Sequence, residues 1–181
     1  MDPLAREKIA KTIEDWAIPC LHHFTDASNL SSICYHEGLL SLVAQRKQSV
    51  ICSNHLSDDR SRDLDASNGL DKYVHLAFHK DHSMLRHARP RSLSGIALLK
   101  VSTSVMYLPG VLFTKDVANQ SANPAQFSMD KLDEVADLEA MYPRGTPRRY
   151  DLDTSLGKWK RAEVLVPSFV PMNLIGDITI L

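Results

Sequence analysis

The chain has 181 residues, 44% of them hydrophobic and 24% charged, and a net charge of -1. That is the balance of one globular domain, and it excludes a polycation that coats nucleic acid without selectivity. No apolar run approaches the roughly 20 residues that span a bilayer, so no membrane is implied, and the charged start "MDPLAREKIAKTIEDWA" lacks a secretory signal, so the expected location is the cytoplasm.

In chain order, Leu4, Ile9, Ile13 and Trp16 recur at near-helical spacing and predict a first helix that Pro19 closes. "PCLHHFT" reads as a short strand. Asp26 or Ser28 caps a second helix, with Leu30, Ile33 and Cys34 along one side and Gly38 at its end. "GLLS" and "SVICS" predict loop or short strand, and residues 53–71, "SNHLSDDRSRDLDASNGLD", read as a polar, turn-rich loop with too few apolar groups for core. Three strands are expected at 73–78, 95–101 and 110–114. From 115 to 161 the pattern loosens: loop, an amphipathic helix at 129–141, then "YPRGTPRRYDLDTSLGKWK", a composition that inside a compact domain serves a site or stays disordered. "AEVLVPSFVP" and "LIGDITIL" close the chain as two strands separated by Pro171. Without repeats or linkers, the expectation is a single α+β domain over 1–181, with about six short strands and helices at the N-terminus and mid-chain.

The residues that could carry chemistry are scattered. His22 and His23 are adjacent and His79 and His82 lie close together, but neither pair has the spacing and partners of a zinc site, so no metal is expected. Cys20, Cys34 and Cys52 sit in apolar contexts and suit reduced thiols. No glycine-rich phosphate loop occurs. In "KWKRAEVLVPSF", Glu163 opens a buried strand; a charge there is paired, hydrogen-bonded or faces a cleft, and the residues alone leave an ion-paired rim residue and a chemical one open. "RHARPR", "PRGTPRRY" and "KWKR", with Tyr150 and Trp159 nearby, are either solvated surface or a phosphate track with a stacking platform.

Several blocks resemble one family. "IPCLHHFTDASNLSSICYHEGLLS", with His23, Thr25, Asn29, Leu30, Gly38 and Leu39, is similar to the opening of the DarT family, toxins that transfer ADP-ribose from NAD to bases of single-stranded DNA. "LDKYVHLAFHKDHSML", "LFTKDVAN" and "RAEVLVPSFVPMNLI" resemble later blocks of that family in the same order, so the likeness spans about 18 to 180.

The resemblance implies an ADP-ribosyltransferase-like split β-sheet core with a cleft for NAD as substrate. It implies Glu163 and Arg60 as catalytic residues, with Arg62 the alternate arginine on NAD. His23 would contact a ribose, the backbone of Phe24 and Thr25 would hold the nicotinamide amide, and Asn29 belongs to the same binding motif. Many relatives carry a Tyr where this chain has Ala77, which leaves Phe78 or His75 to pack on nicotinamide. Arg148, Arg149, Tyr150, Lys158, Trp159 and Lys160 would grip the nucleic acid. The implied product is ADP-ribosylated thymidine or guanosine in single-stranded DNA, made by the toxin half of a toxin–antitoxin pair whose antitoxin carries a macrodomain. The rival readings are the same chemistry on RNA or protein, and a catalytically silent nucleic-acid-binding module.

Overall fold

The computed structural model describes residues 2–82, 84–115, 117–118, 126–127, 132, 138–142 and 161–181. Helix α1 (Pro3–Asp15) starts where Asp2 accepts the amide hydrogen of Leu4, and packs Ile9 into the core. Strand β1 (Leu21–Asp26) follows, then a tight helical turn and α2 (Leu30–Tyr35). The chain continues through β2 (Gly38–Leu40), α3 (Leu42–Lys47), α4 (Asp59–Ser67), β3 (Tyr73–Ala77) and α5 (Met84–Ala88). Strands β4 (Ile96–Val101), β5 (Leu112–Thr114) and β6 (Gln126–Phe127) come next, then the helical turn Leu138–Met141. The last elements are β7 (Glu163–Pro167), β8 (Phe169–Pro171) and β9 (Ile175–Ile180).

These strands form two sheets, one of seven strands in the order β6-β5-β7-β3-β1-β4-β9 and one of two, β2-β8. All pairings are antiparallel. The larger sheet packs Leu21, Leu76, Leu99, Phe113 and Val164, all fully buried, into the main core with Ile9 of α1. Its other face carries a smaller cluster around Phe24, Ala77 and Leu98. That β1, β3 and β4 feed both clusters follows from the two-residue period of a strand.

Two joints connect the sheets. Ser168, at φ 61°, turns the chain out of β7 so that Phe169–Pro171 leave for the second sheet; the expected continuous strand "AEVLVPSFVP" is therefore two. Gly38 was expected to end α2, but the left-handed residue after that helix is Glu37, at φ 55°, and Gly38 opens β2. A Cβ on Gly38 would lie 2.2 Å from the carbonyl oxygen of Val170, so only a residue without a side chain lets β2 approach β8.

The polar stretch 53–71 departs most from expectation. Asp58 accepts the amide hydrogen of Ser61 at 2.8 Å and caps α4, a helix with too few apolar positions to show periodicity. Leu56 and Leu70, at either end of it, are buried. "SVICS" forms no strand, and α3 stands just before it. Of the helix expected at 129–141, the described residues Leu132 and Leu138–Met141 are helical.

Candidate active site

Strands β1 and β3 are neighbours, yet they pair only at His22 and Ala77. Beyond that bridge β1 stays bonded to β4 through Asp26, and its other edge is left without a strand partner. The opening leads into a cavity of about 460 Å³, within the range of small-molecule sites. His23, Phe24 and Thr25 of β1, β2, Asp65 of α4, His75 of β3 and Glu163 of β7 all line it. The early imidazole and the late carboxylate thus share one crevice.

Glu163 is 2% exposed. Its Oε2 accepts hydrogen bonds from His75 Nδ1 at 3.1 Å and from the Ala118 amide at 3.2 Å. Its Oε1 lies 3.7 Å from Nε2 of the buried His82. Burial alone would push the Glu163 carboxyl up; the hydrogen bond and charge of His75 outweigh it and hold the group below the usual carboxylate range. Strand register produces this arrangement, because Ala77 stands opposite Glu163 and His75 is two residues before it, on the same face.

His75 has acceptors on both sides. Nδ1 meets the Glu163 carboxylate, and Nε2 lies 3.2 Å from the carbonyl oxygen of Leu70. A neutral imidazole has one N–H and satisfies only one of these, so the geometry calls for the cation. Burial opposes that charge, but the Glu163 hydrogen bond, the Glu163 charge and Asp65 prevail, and the His75 pKa is pushed up to about 9. Asp65 is 9% exposed, and its Oδ1 is buried without a hydrogen-bond partner among the described residues. Burial raises its pKa to about 6.

His23 donates from Nδ1 to the carbonyl oxygen of His75 at 3.0 Å, which leaves Nε2 as the acceptor nitrogen. Burial, with the nearby His75 charge adding to it against the hydrogen bond, lowers the His23 pKa and keeps the ring neutral near pH 7. Phe24 lines the cavity and stacks on His82, with ring centroids 6.3 Å apart.

Asn29 has no amide group to spare. Its Nδ2 donates to Thr25 Oγ1 at 3.0 Å and to the Asn54 carbonyl at 2.7 Å, and its Oδ1 accepts from the Ser53 amide at 2.9 Å. It clamps the 52–54 segment against β1. Asp26, 0% exposed, does the same from the other side, accepting from Ser28, Asn54, Ser92 and the Leu93 amide.

Other expected site residues stand elsewhere. Phe78 is 1% exposed in the main core and stacks on Phe113, because strand alternation carries it to the face opposite His75. Arg60 is exposed on α4, and Arg62 turns back onto Asp59 and the Ser57 carbonyl; neither lines the cavity. The arginines among the described cavity residues are Arg91 and Arg161, with Arg91 bonded to Asp58 at 3.1 Å. Ala77 lies in the buried cluster with Phe24, Leu56 and Ala88. Arg148, Arg149, Tyr150, Lys158, Trp159 and Lys160 lie outside the described residues. The sequence marks Arg91 only as part of the basic stretch "RHARPR" and does not single out Asp65 or the pairing of His75 with Glu163; alternation from Ala77 could have placed His75, whereas Asp65 left no signal.

The site is thus a sheet that parts beside a buried, ionised glutamate, in a chain without a glycine-rich phosphate loop. The sequence model of the DarT family, described as ssDNA thymidine ADP-ribosyltransferase, matches residues 22–181, and the chain belongs to that family. None of the curated protein sequences compared with it matches.

Solved structures agree on the fold. The DarT of Thermus sp. 2.9 in complex with ADP-ribosylated ssDNA is 22% identical, with a TM-score of 0.67 over 91% of this chain and 82% of that one. The same protein in complex with NAD+ is 20% identical, with a TM-score of 0.63 over 90% and 82%. Thermosipho africanus DarTG in complex with ADP-ribose is 20% identical, with a TM-score of 0.69 over 89% of this chain and 43% of that one. Among the described residues no group of His, Cys, Asp or Glu is placed to hold a metal, and no helix is long and apolar enough to cross a membrane.

Proposed function

We propose that the protein transfers ADP-ribose from NAD to a thymidine base of single-stranded DNA, with Glu163 as the catalytic acid–base. The observation that carries this reading is the common cavity of Glu163 and His23, one wall of which is the unpaired edge of β1. The choice of thymidine rests on the description of the matched family. The ssDNA and NAD+ complexes of the Thermus relative support the two substrates.

The residues fit a dinucleotide. The acceptor nitrogen of neutral His23 suits a ribose hydroxyl, and the free backbone edge at Phe24 and Thr25 suits a carboxamide, whose NH2 donates and whose carbonyl accepts. Arg91 and Arg161 bring positive charge to the cavity for the pyrophosphate, a role that Arg60 and Arg62 do not reach in this structure. Asn29 acts indirectly, by fixing the wall.

Glu163 then works on the reacting ribose. Breaking the bond to nicotinamide builds positive charge at the anomeric carbon, and a fixed carboxylate stabilises it. Nicotinamide leaves with the bonding pair, the base nitrogen donates a pair to the anomeric carbon, and Glu163 accepts the proton that the nitrogen gives up. The segment 143–160, with its arginines and aromatics, is proposed as the grip on the strand.

We assign the chain to the toxin side of a toxin–antitoxin pair acting in the cytoplasm, countered by a macrodomain partner, an assignment that rests on membership of the DarT family. The test is incubation with labelled NAD and separate panels of single-stranded DNA, duplex DNA, RNA and protein. Label on thymidine of the single strand is expected; label on RNA or protein alone overturns the substrate assignment.

A further inference from the structure

Resting on that reading, we propose that His75 is a positioning residue which, as an imidazolium, holds Glu163 ionised and aimed into the cleft. Every hydrogen-bonding group of residue 75 that faces the site is engaged in it. The Nδ1–H of the ring donates to Glu163 Oε2 at 3.1 Å, the Nε2–H donates to the Leu70 carbonyl at 3.2 Å, and the main-chain carbonyl accepts from His23 at 3.0 Å. One residue on β3 therefore sets both the catalytic carboxylate on β7 and the ribose-binding imidazole on β1.

Two acceptors, one on each ring nitrogen, need two ring protons. The groups facing the ring are Glu163 from β7, Asp65 from α4, the Leu70 carbonyl from the turn before β3, and His23 from β1. Both carboxylates favour the cation, and neutral His23 does little to oppose it. His82 lies beyond Glu163, 3.7 Å from its far oxygen; it accepts the Met84 amide at Nδ1 and has its Nε2 3.2 Å from the Arg161 carbonyl. It braces the carboxylate without replacing the His75 bond.

A buried carboxylate without its cation takes up a proton more readily, and a protonated Glu163 neither stabilises positive charge nor accepts a proton. His75 thus keeps the catalyst in its working form at mildly acidic pH. Ring charge also ties the site to the alkaline side, where loss of one proton forces the ring to abandon either Glu163 or Leu70.

The test is the pH profile of kcat in His75→Gln, which keeps a donor near Glu163 and removes the charge. The acid limb is expected to move up by about one pH unit, so that at pH values below the limb kcat falls to roughly a tenth of the wild-type value at the same pH and is unchanged by this effect at pH 8, while KM for NAD stays within about twofold. A profile that superposes on the wild-type curve overturns the proposal. Should the variant fail to fold, the histidine ring resonances of the wild-type protein decide: His75 is expected to stay doubly protonated through pH 8 and to become neutral at pH 8 in Glu163→Gln. A neutral His75 ring at pH 7 in the wild type overturns the pairing. Complete absence of transferase activity contradicts the reaction reading alone, and the resonance titration still decides the state of His75.

Discussion

The Nδ1–H of His23 donates to the main-chain carbonyl of His75 at 3.0 Å, across the gap where β1 and β3 stop pairing. That bond does two things. It ties β1 to β3 at the start of the sheet split, and it fixes His23 in the tautomer whose Nε2 accepts from a ligand. His23→Ala is expected to weaken NAD binding by at least tenfold, about 1.4 kcal/mol, in a calorimetric titration, with little change in the fold. Unchanged affinity would remove His23 from the binding site.

Asp26 is the anchor of the opposite wall. Burial works against its charge, but hydrogen bonds from Ser28, Asn54 and the Leu93 amide overcome that and drive its pKa well down. A carboxyl whose folded pKa is depressed contributes stability that is present above its unfolded value and lost as pH falls. Asp26→Ala leaves several buried donors without a partner and is expected to lower stability by about 3 kcal/mol or more at pH 7, measured by urea unfolding, with the gap narrowing below pH 4.

Asp65 predicts the reverse sign. Its carboxyl is raised to about 6 from an ordinary 3.8, so the native state holds the proton more tightly and stability falls as pH rises through that window. Asp65→Asn is expected to gain about 1 to 2 kcal/mol at pH 7.5 and nothing below pH 4, by denaturant titration at both pH values. A loss at pH 7.5 would show that Asp65 has a stronger partner than burial reveals.

Gly38 sets how closely the second sheet approaches. A methyl there meets the Val170 carbonyl at 2.2 Å and cannot be relieved by a rotamer change, since the obstacle is backbone. Gly38→Ala is expected to cost about 2 to 3 kcal/mol and to weaken NAD binding, because β2 lines the cavity. Wild-type stability and affinity in that variant would mean that the β2–β8 pairing is not needed for the site.

Much of the sheet was legible in the sequence because its strands are short, apolar and β-branched: β3, β4 and β5 lie within a residue or two of where "YVHLAF", "GIALLKV" and "GVLFT" place them, and β7 begins within a residue of "AEVLVPSFVP". Helix α4 was not, since capping by Asp58 and flanking by Leu56 and Leu70 stabilise it without an apolar stripe. The turn at Ser168 was hidden too, as a serine gives no sign of φ 61°. For the site, block order in the chain brought Glu163 and His23 together. The inward side of α4 was beyond reach: alternation is a rule for strands, and in a polar helix nothing in the sequence says that Asp65 faces the cleft while Arg60 faces out.

The most direct measurement is transfer of label from NAD to a mixed-sequence single-stranded oligonucleotide by the wild-type protein and by Glu163→Ala, with NAD binding followed in parallel. The account predicts a loss of transfer of about a thousandfold or more in the variant, with a folded protein that still binds NAD. Transfer within tenfold of wild type would contradict it.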